Sequence, residues 1–233
     1  MQVGSRRGFL VAAAAMTTAA SVGACRSRSD GSGDLLDVSA SANLPTARES
    51  LAADGNTIVL GDPGAPLAVR LYEDMSCPAS AEFETEGTAP YLKRAARNGA
   101  LQLQVTLGSF LGPGSKLAAN ALRAALDQNR FADYHDLLYR KQDWVRKAGG
   151  FTRDRLLGLA IMIPGLRGPE FDLAVLETKH EDFVEAADEV LRTSRVPGTP
   201  AMAINGSLVP SDSRDLLTDR SRLYQHLRKA ARA

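Results

Sequence analysis

Two runs of alternating apolar residues constrain most strongly what this chain can fold into. Leu67, Val69 and Leu71 alternate with Ala68, Arg70 and Tyr72, and Leu101, Leu103, Val105 and Leu107 alternate with Gln102, Gln104 and Thr106. A period of two marks a strand with one face better buried. Between them, residues 78–97 read as helix, with Gly87 and Pro90 predicting a kink or a break. Residues 57–60 form a short apolar strand ahead of the turn 61–66. After the second long strand, every segment from 115 to 194 has helical periodicity, including one long helix over 170–192 with Pro169 at its first position. A strand at 201–205, a turn at Gly206, a strand at 207–210 and a basic helix over 214–231 complete the order. A β-α-β unit followed by a hairpin and a helix predicts an α/β fold. Its sheet is mixed, with a parallel core and an antiparallel edge, and the helical block is an insertion.

Composition narrows the class. The chain has 233 residues, a formal charge of +1, two cysteines and three histidines. That charge excludes a basic chain built to coat nucleic acid. Two thiols exclude a Cys-rich zinc domain or a multi-disulfide scaffold. No phosphate loop or dinucleotide fingerprint occurs, so neither a cofactor nor a metal is expected.

The N-terminus reads as an address. Arg6 and Arg7 precede an apolar stretch over 9–24 that ends in small residues, and no acid appears before Asp30. This is an export signal occupying residues 1–24. Ser5-Arg6-Arg7-Gly8-Phe9-Leu10 resembles a twin-arginine signal, with an ordinary secretory signal as the alternative. Val22-Gly23-Ala24-Cys25 resembles a bacterial lipobox, in which Cys25 becomes the first residue and carries lipid. Plain cleavage after Ala24 is the competing reading. Loss of residues 1–24 removes two arginines and no acid, so the net charge moves from +1 to −1. Lipidated Cys25 would leave Cys77 as the one free thiol. Residues 25–56, rich in Ser, Ala, Gly and Asp, read as a tether, and the folded domain as 57–233.

Cys77 lies between a strand and a helix. Pro78 suits the first helical position, which makes Cys77 the N-cap. Its sulfur then faces unpaired N–H groups and the positive end of the helix dipole, an arrangement that favours a thiolate. Ser80, three residues on, is placed to donate its hydroxyl to that sulfur. The bland alternative is a buried, inert cysteine.

These residues resemble the DsbA-like branch of the thioredoxin superfamily. Gly61-Asp62-Pro63, Ala65-Pro66, Asp74 and Cys77-Pro78 follow its N-terminal pattern, and Gly198-Thr199-Pro200 before a strand and an Asn205-Gly206 turn follows its second hallmark. The resemblance covers 57–231. It implies a thioredoxin-like fold, a cis-proline at Pro200 facing Cys77, and Thr199 offering backbone groups to a substrate strand. It also implies thiol-disulfide exchange with exported proteins, outside the cytoplasm. The family's motif is Cys-x-x-Cys, whereas this chain has Cys77-Pro78-Ala79-Ser80. Ser80 cannot resolve a mixed disulfide, so the resolving thiol would come from the substrate, a small-molecule thiol or a redox partner. If Cys25 escaped lipidation, a disulfide between Cys25 and Cys77 would remain open. The rival function is a redox-inactive module that holds a peptide or partner.

Other residues carry weaker signals. His135, His180 and His226 read as surface or satisfied histidines rather than bases. Trp144 reads as packing within the insertion, and Glu73 and Asp74 as exposed or strand-end carboxylates, with tuning of the thiol as the alternative. The basic C-terminal helix is either a solvated face or a surface near anionic lipid.

Overall fold

The computed structural model describes Leu36 and residues 48–232. The export signal, Cys25 and most of the stretch read as a tether lie outside the described residues. Six strands form one mixed sheet in the order β1-β2-β4-β3-β5-β6. They are β1 (Glu49–Leu51), β2 (Ile58–Leu60), β3 (Ala68–Asp74), β4 (Gln102–Gly108), β5 (Ala201–Ile204) and β6 (Ser207–Leu208). β3 and β4 pair in parallel, Ala68 opposite Gln102 through Asp74 opposite Gly108, and every other pairing is antiparallel. This is the expected thioredoxin-like sheet. The alternation carries it: Leu103, Val105 and Leu107 are wholly buried, as are Val69 and Leu71. Each such side chain contributes about 1.5–3 kcal/mol of transfer free energy.

Helices α1 (Pro78–Thr85) and α2 (Ala89–Arg97) make the crossover between β3 and β4. They separate at Gly87, where the sequence predicts a break. A Cβ on Gly87 would lie 2.6 Å from the Leu217 carbonyl oxygen, and the next residue, Thr88, donates its N–H to that same oxygen. The insertion comprises α3 (Pro113–Asp127), α4 (Phe131–Lys147), α5 (Arg153–Ala160), α6 (Pro169–Leu176) and α7 (Glu181–Thr193). α3 and α7 both pack on β4.

Three expectations need correction. The single helix over 170–192 is two, because buried Asn120 of α3 stitches the gap: its amide donates to the Ala174 carbonyl, and its Oδ1 accepts from the His180 N–H. A satisfied buried amide on a neighbouring helix replaces the intrahelical bonds lost at the break. The basic helix over 214–231 begins later, as α8 (Arg220–Ala230), after a 3-10 stretch at Ser211–Leu217. Asp219 sets that start by accepting from the N–H groups of Ser221 and Arg222. The sheet also begins inside the stretch read as tether. β1 pairs with β2, and Glu49 accepts from the N–H groups of Phe131 and Ala132, capping α4 from 82 residues away. Leu36 is buried too, its carbonyl accepting from the Tyr91 hydroxyl at 2.9 Å.

Candidate active site around Cys77

β3 delivers its last residue, Asp74, to the C-terminal end of the parallel pair, and the chain turns at Met75 and Ser76 into α1. Cys77 is the N-cap of α1 with extended backbone, and Pro78 takes the first turn as the sequence predicts. The turn is fixed from three sides. Cys77 N–H donates to the Asp74 carbonyl at 2.9 Å. The buried side-chain amide of Gln142 on α4 donates to the carbonyls of Met75 and Cys77, at 3.0 and 2.7 Å. Asp74, wholly buried, accepts from the N–H groups of Ser76 and Leu111 and from the Ser115 hydroxyl. Burial nonetheless holds its carboxyl above the usual range. Asp74 is therefore a structural acid, not an exposed strand end.

Cys77 is 9% exposed, and its thiol is free among the described residues. Its polar contact is the Thr199 carbonyl oxygen, to which the thiol donates at 3.2 Å. The Thr199–Pro200 peptide bond is cis. Residues 122 positions apart in sequence thus meet at one point. Ser80 does not join them as expected: its hydroxyl is buried with no hydrogen-bond partner among the described residues. Beside the thiol, a groove of about 340 Å³ runs between α1 and the 3-10 stretch, lined by Ala79, Glu82, Glu86, Pro200 and Arg214 among others. On the other side a cavity of about 510 Å³ is lined by Ser76, Leu111, Gln142, Arg146 and Phe151 among others.

Beneath α1 lies a buried cluster of charge that sequence reasoning missed. Glu73, read as exposed, is fully buried; His135 approaches it at 2.9 Å and the Tyr139 hydroxyl donates to it at 3.2 Å. Lys93 of α2 pairs with Glu84 of α1 and Asp136 of α4, and its Nζ lies 3.3 Å from His135 Nδ1. Burial pushes Glu84 up to about 8, with Glu73 adding to the effect. Burial and the Lys93 ammonium push His135 down to about 4. Burial alone would lower Lys93, but Glu84 and Asp136 raise it above its ordinary value. Glu73, Glu84 and His135 present three ligand atoms within 4.8 Å of one another, a spacing that could hold a metal ion. The Lys93 ammonium already supplies the positive charge there. A signal for the α4 side was available: His135, Tyr139 and Gln142 recur at spacings of four and three, so they share one helix face. His180 lies at the α6–α7 gap, and His226 is exposed on α8. Trp144 is 54% exposed and so does not pack the insertion.

Residues 53–219 match the family model described as Thioredoxin. The chain belongs to the thioredoxin family. Its fold is that of the DsbA-like branch, as three solved structures illustrate. The oxidised BdbD of Bacillus subtilis matches with a TM-score of 0.67 and 20% identity, covering 81% of this chain and 100% of that one. DsbA of Chlamydia trachomatis gives 0.59 and 22%, covering 73% and 91%. MdbA of Corynebacterium diphtheriae, described as a thiol-disulfide oxidoreductase, gives 0.58 and 20%, covering 81% and 96%. No curated protein matches the sequence.

Proposed function

We propose that this protein is an extracytoplasmic thiol-disulfide exchange protein that works with a single active-site thiol, Cys77. It would be exported by the signal at 1–24 and held to the membrane by lipid on Cys25. The observation that carries the reading is the meeting of the Cys77 sulfur, at the start of α1, with the Thr199 carbonyl beside cis-Pro200. Solved relatives of this fold include thiol-disulfide oxidoreductases, which supports the same chemistry here.

The Cys77 thiolate attacks one sulfur of a substrate disulfide. A mixed disulfide forms and the substrate's other sulfur leaves as a thiolate. A second thiol, from the substrate or a small molecule, then attacks the substrate sulfur of that bond and returns Cys77 as a thiolate. When the second thiol belongs to the substrate, the result is an isomerisation with no net oxidant. Pro78 fixes the helix start, and Thr199 and Pro200 receive the substrate strand, whose flanking residues would enter the groove over Ala79. Ser80 stands where a resolving cysteine would be, so the mixed disulfide persists until an outside thiol arrives.

The test is mass spectrometry of the chain recovered from its native envelope after acid quenching. Expected are lipid on Cys25, disulfide-linked exported proteins on Cys77, and loss of those adducts in Cys77→Ala. An unmodified Cys77, with the same partners retained by Cys77→Ala, would favour the peptide-binding module instead.

A further inference from the structure

The geometry points to a second membrane contact: the outer face of α8 is a docking surface for anionic lipid headgroups. α8 contains Arg220, Arg222, Arg228 and Lys229 and no acidic residue, and Arg232 follows it. Leu223 and Leu227 face inward and are wholly buried, while all five cations are exposed. Arg222 is matched by Asp215 and Asp219. Arg228 stacks on Tyr224, and Arg228, Lys229 and Arg232 turn outward at the C-terminal end. Cations in a last turn complement the helix dipole, but Arg232 lies beyond the helix.

The place where the chain leaves the fold argues for lipid over other polyanions. Leu36 is buried against Tyr91, and the Arg220 guanidinium sits 5.0 Å over that same ring. The N-terminal segment therefore meets the domain at the start of α8. Only ten residues lie between Cys25 and Leu36, eleven steps along the chain. Even fully extended they span no more than about 40 Å. If Cys25 carries lipid, as the proposed function holds, that docking point stays close to the bilayer, with α8 beside it. Leu223 and Leu227 are buried and Tyr224 is only partly exposed, so this face offers no large aliphatic side chain and the contact is electrostatic; each cation near an anionic surface strengthens it roughly fivefold.

The experiment uses residues 26–233, which contain every described residue and carry no lipid, so it is independent of whether Cys25 is modified. Vesicles of phosphatidylglycerol and phosphatidylcholine, and of phosphatidylcholine alone, are co-sedimented with the chain at low and high salt. Binding is expected to the anionic vesicles only, to fall with salt, and to drop more than tenfold in Arg228→Gln/Lys229→Gln/Arg232→Gln. Lys229→Gln/Arg232→Gln, which leaves the Tyr224 stack intact, should show a smaller loss with an unchanged melting temperature. Equal sedimentation with both vesicle types, or anionic binding that survives both variants, would overturn the proposal. So would binding to soluble polyglutamate without binding to vesicles. Lipid on Cys25 is read separately by mass, so failure of the anchor and failure of the α8 surface are distinct results.

Discussion

Glu84 lies on the buried face of the active-site helix α1 with its carboxyl shut away from water, and its proton makes stability vary with pH. Burial and Glu73 push it from the ordinary 4.5 up to about 8, against the pull of Lys93 and His135. The unfolded chain releases this proton near 4.5, so between there and about 8 the folded state holds a proton that the unfolded state lacks. Stability from this group is therefore fully present at low pH and lost as pH rises toward 8, at about 1.4 kcal/mol per pH unit. Across the whole window that amounts to roughly 5 kcal/mol. Glu84→Gln keeps the shape, and its carbonyl can still accept from Lys93, but it has no proton to titrate. The stability of Glu84→Gln relative to the parent should climb with pH and flatten above about 8. Groups such as His135 titrate in both chains and cancel to first order. Urea unfolding at several pH values, with the slope m unchanged, reads the effect directly. The variant should gain about 3–4 kcal/mol on its parent between roughly pH 5 and pH 8. A difference that stays constant over that range would refute the reasoning, because it would mean that Glu84 is ionised throughout and bound to Lys93 as a carboxylate.

Four further outcomes are expected. Ser80→Ala removes a buried hydroxyl with no partner and should stabilise the fold by about 1 kcal/mol, leaving the alkylation rate of Cys77 unchanged; a slower rate would restore a supporting role for the hydroxyl. Glu49→Ala removes the cap on two N–H groups of α4 and should cost about 1–2 kcal/mol in urea unfolding, where a residue in a free tether would cost nothing. Gly87→Ala places a Cβ 2.6 Å from the Leu217 carbonyl and should cost about 1–3 kcal/mol, visible as a lowered melting temperature. His135, held neutral down to about 4 by burial and Lys93, should protonate in the unfolded chain below about 6.5. Its contribution is therefore lost as pH falls from 6.5 toward 4, and a melting temperature that falls over this window in Glu84→Gln would show it.

What the sequence made legible was local or strongly periodic. The alternation in β3 and β4, the Cys77-Pro78 helix start, the break near Gly87 and the Asn205-Gly206 turn were each signalled by residues within a few positions, although Gly87 also meets the distant Leu217 carbonyl. The approach of Cys77 to Thr199 was also accessible, but only through resemblance, since nothing local links positions 122 residues apart. Hidden features were those whose cause lies elsewhere in the chain. Residues 170–192 have an unbroken helical pattern, and what parts them is Asn120, three helices before α6. Three residues at Glu49–Leu51 are too few for periodicity to register, and they join the sheet with Glu49 anchored at α4.

Glu73 shows why the charged layer was the hardest part to read. A carboxylate at a strand end is ordinarily solvated, and one lone acid predicts nothing about a lysine twenty residues on or a histidine sixty-two residues on. Burying it is tolerable only because His135, Tyr139 and Lys93 arrive from two other helices. Those helices are the same ones that position the thiol: α2 pairs Lys93 with Glu84 on α1, and α4 supplies both His135 and the Gln142 amide that holds the Cys77 carbonyl. The charge cluster and the thiol are thus two ends of one clamp on α1. A substitution in the cluster that loosens α1 should therefore change the reactivity of Cys77 without touching its sulfur, whereas one that only alters the local charge should change stability alone. Comparing alkylation rates at Cys77 in Glu84→Gln and in Gln142→Ala separates the two: Gln142→Ala frees the turn and should alter the rate, while Glu84→Gln keeps α1 in place and should not.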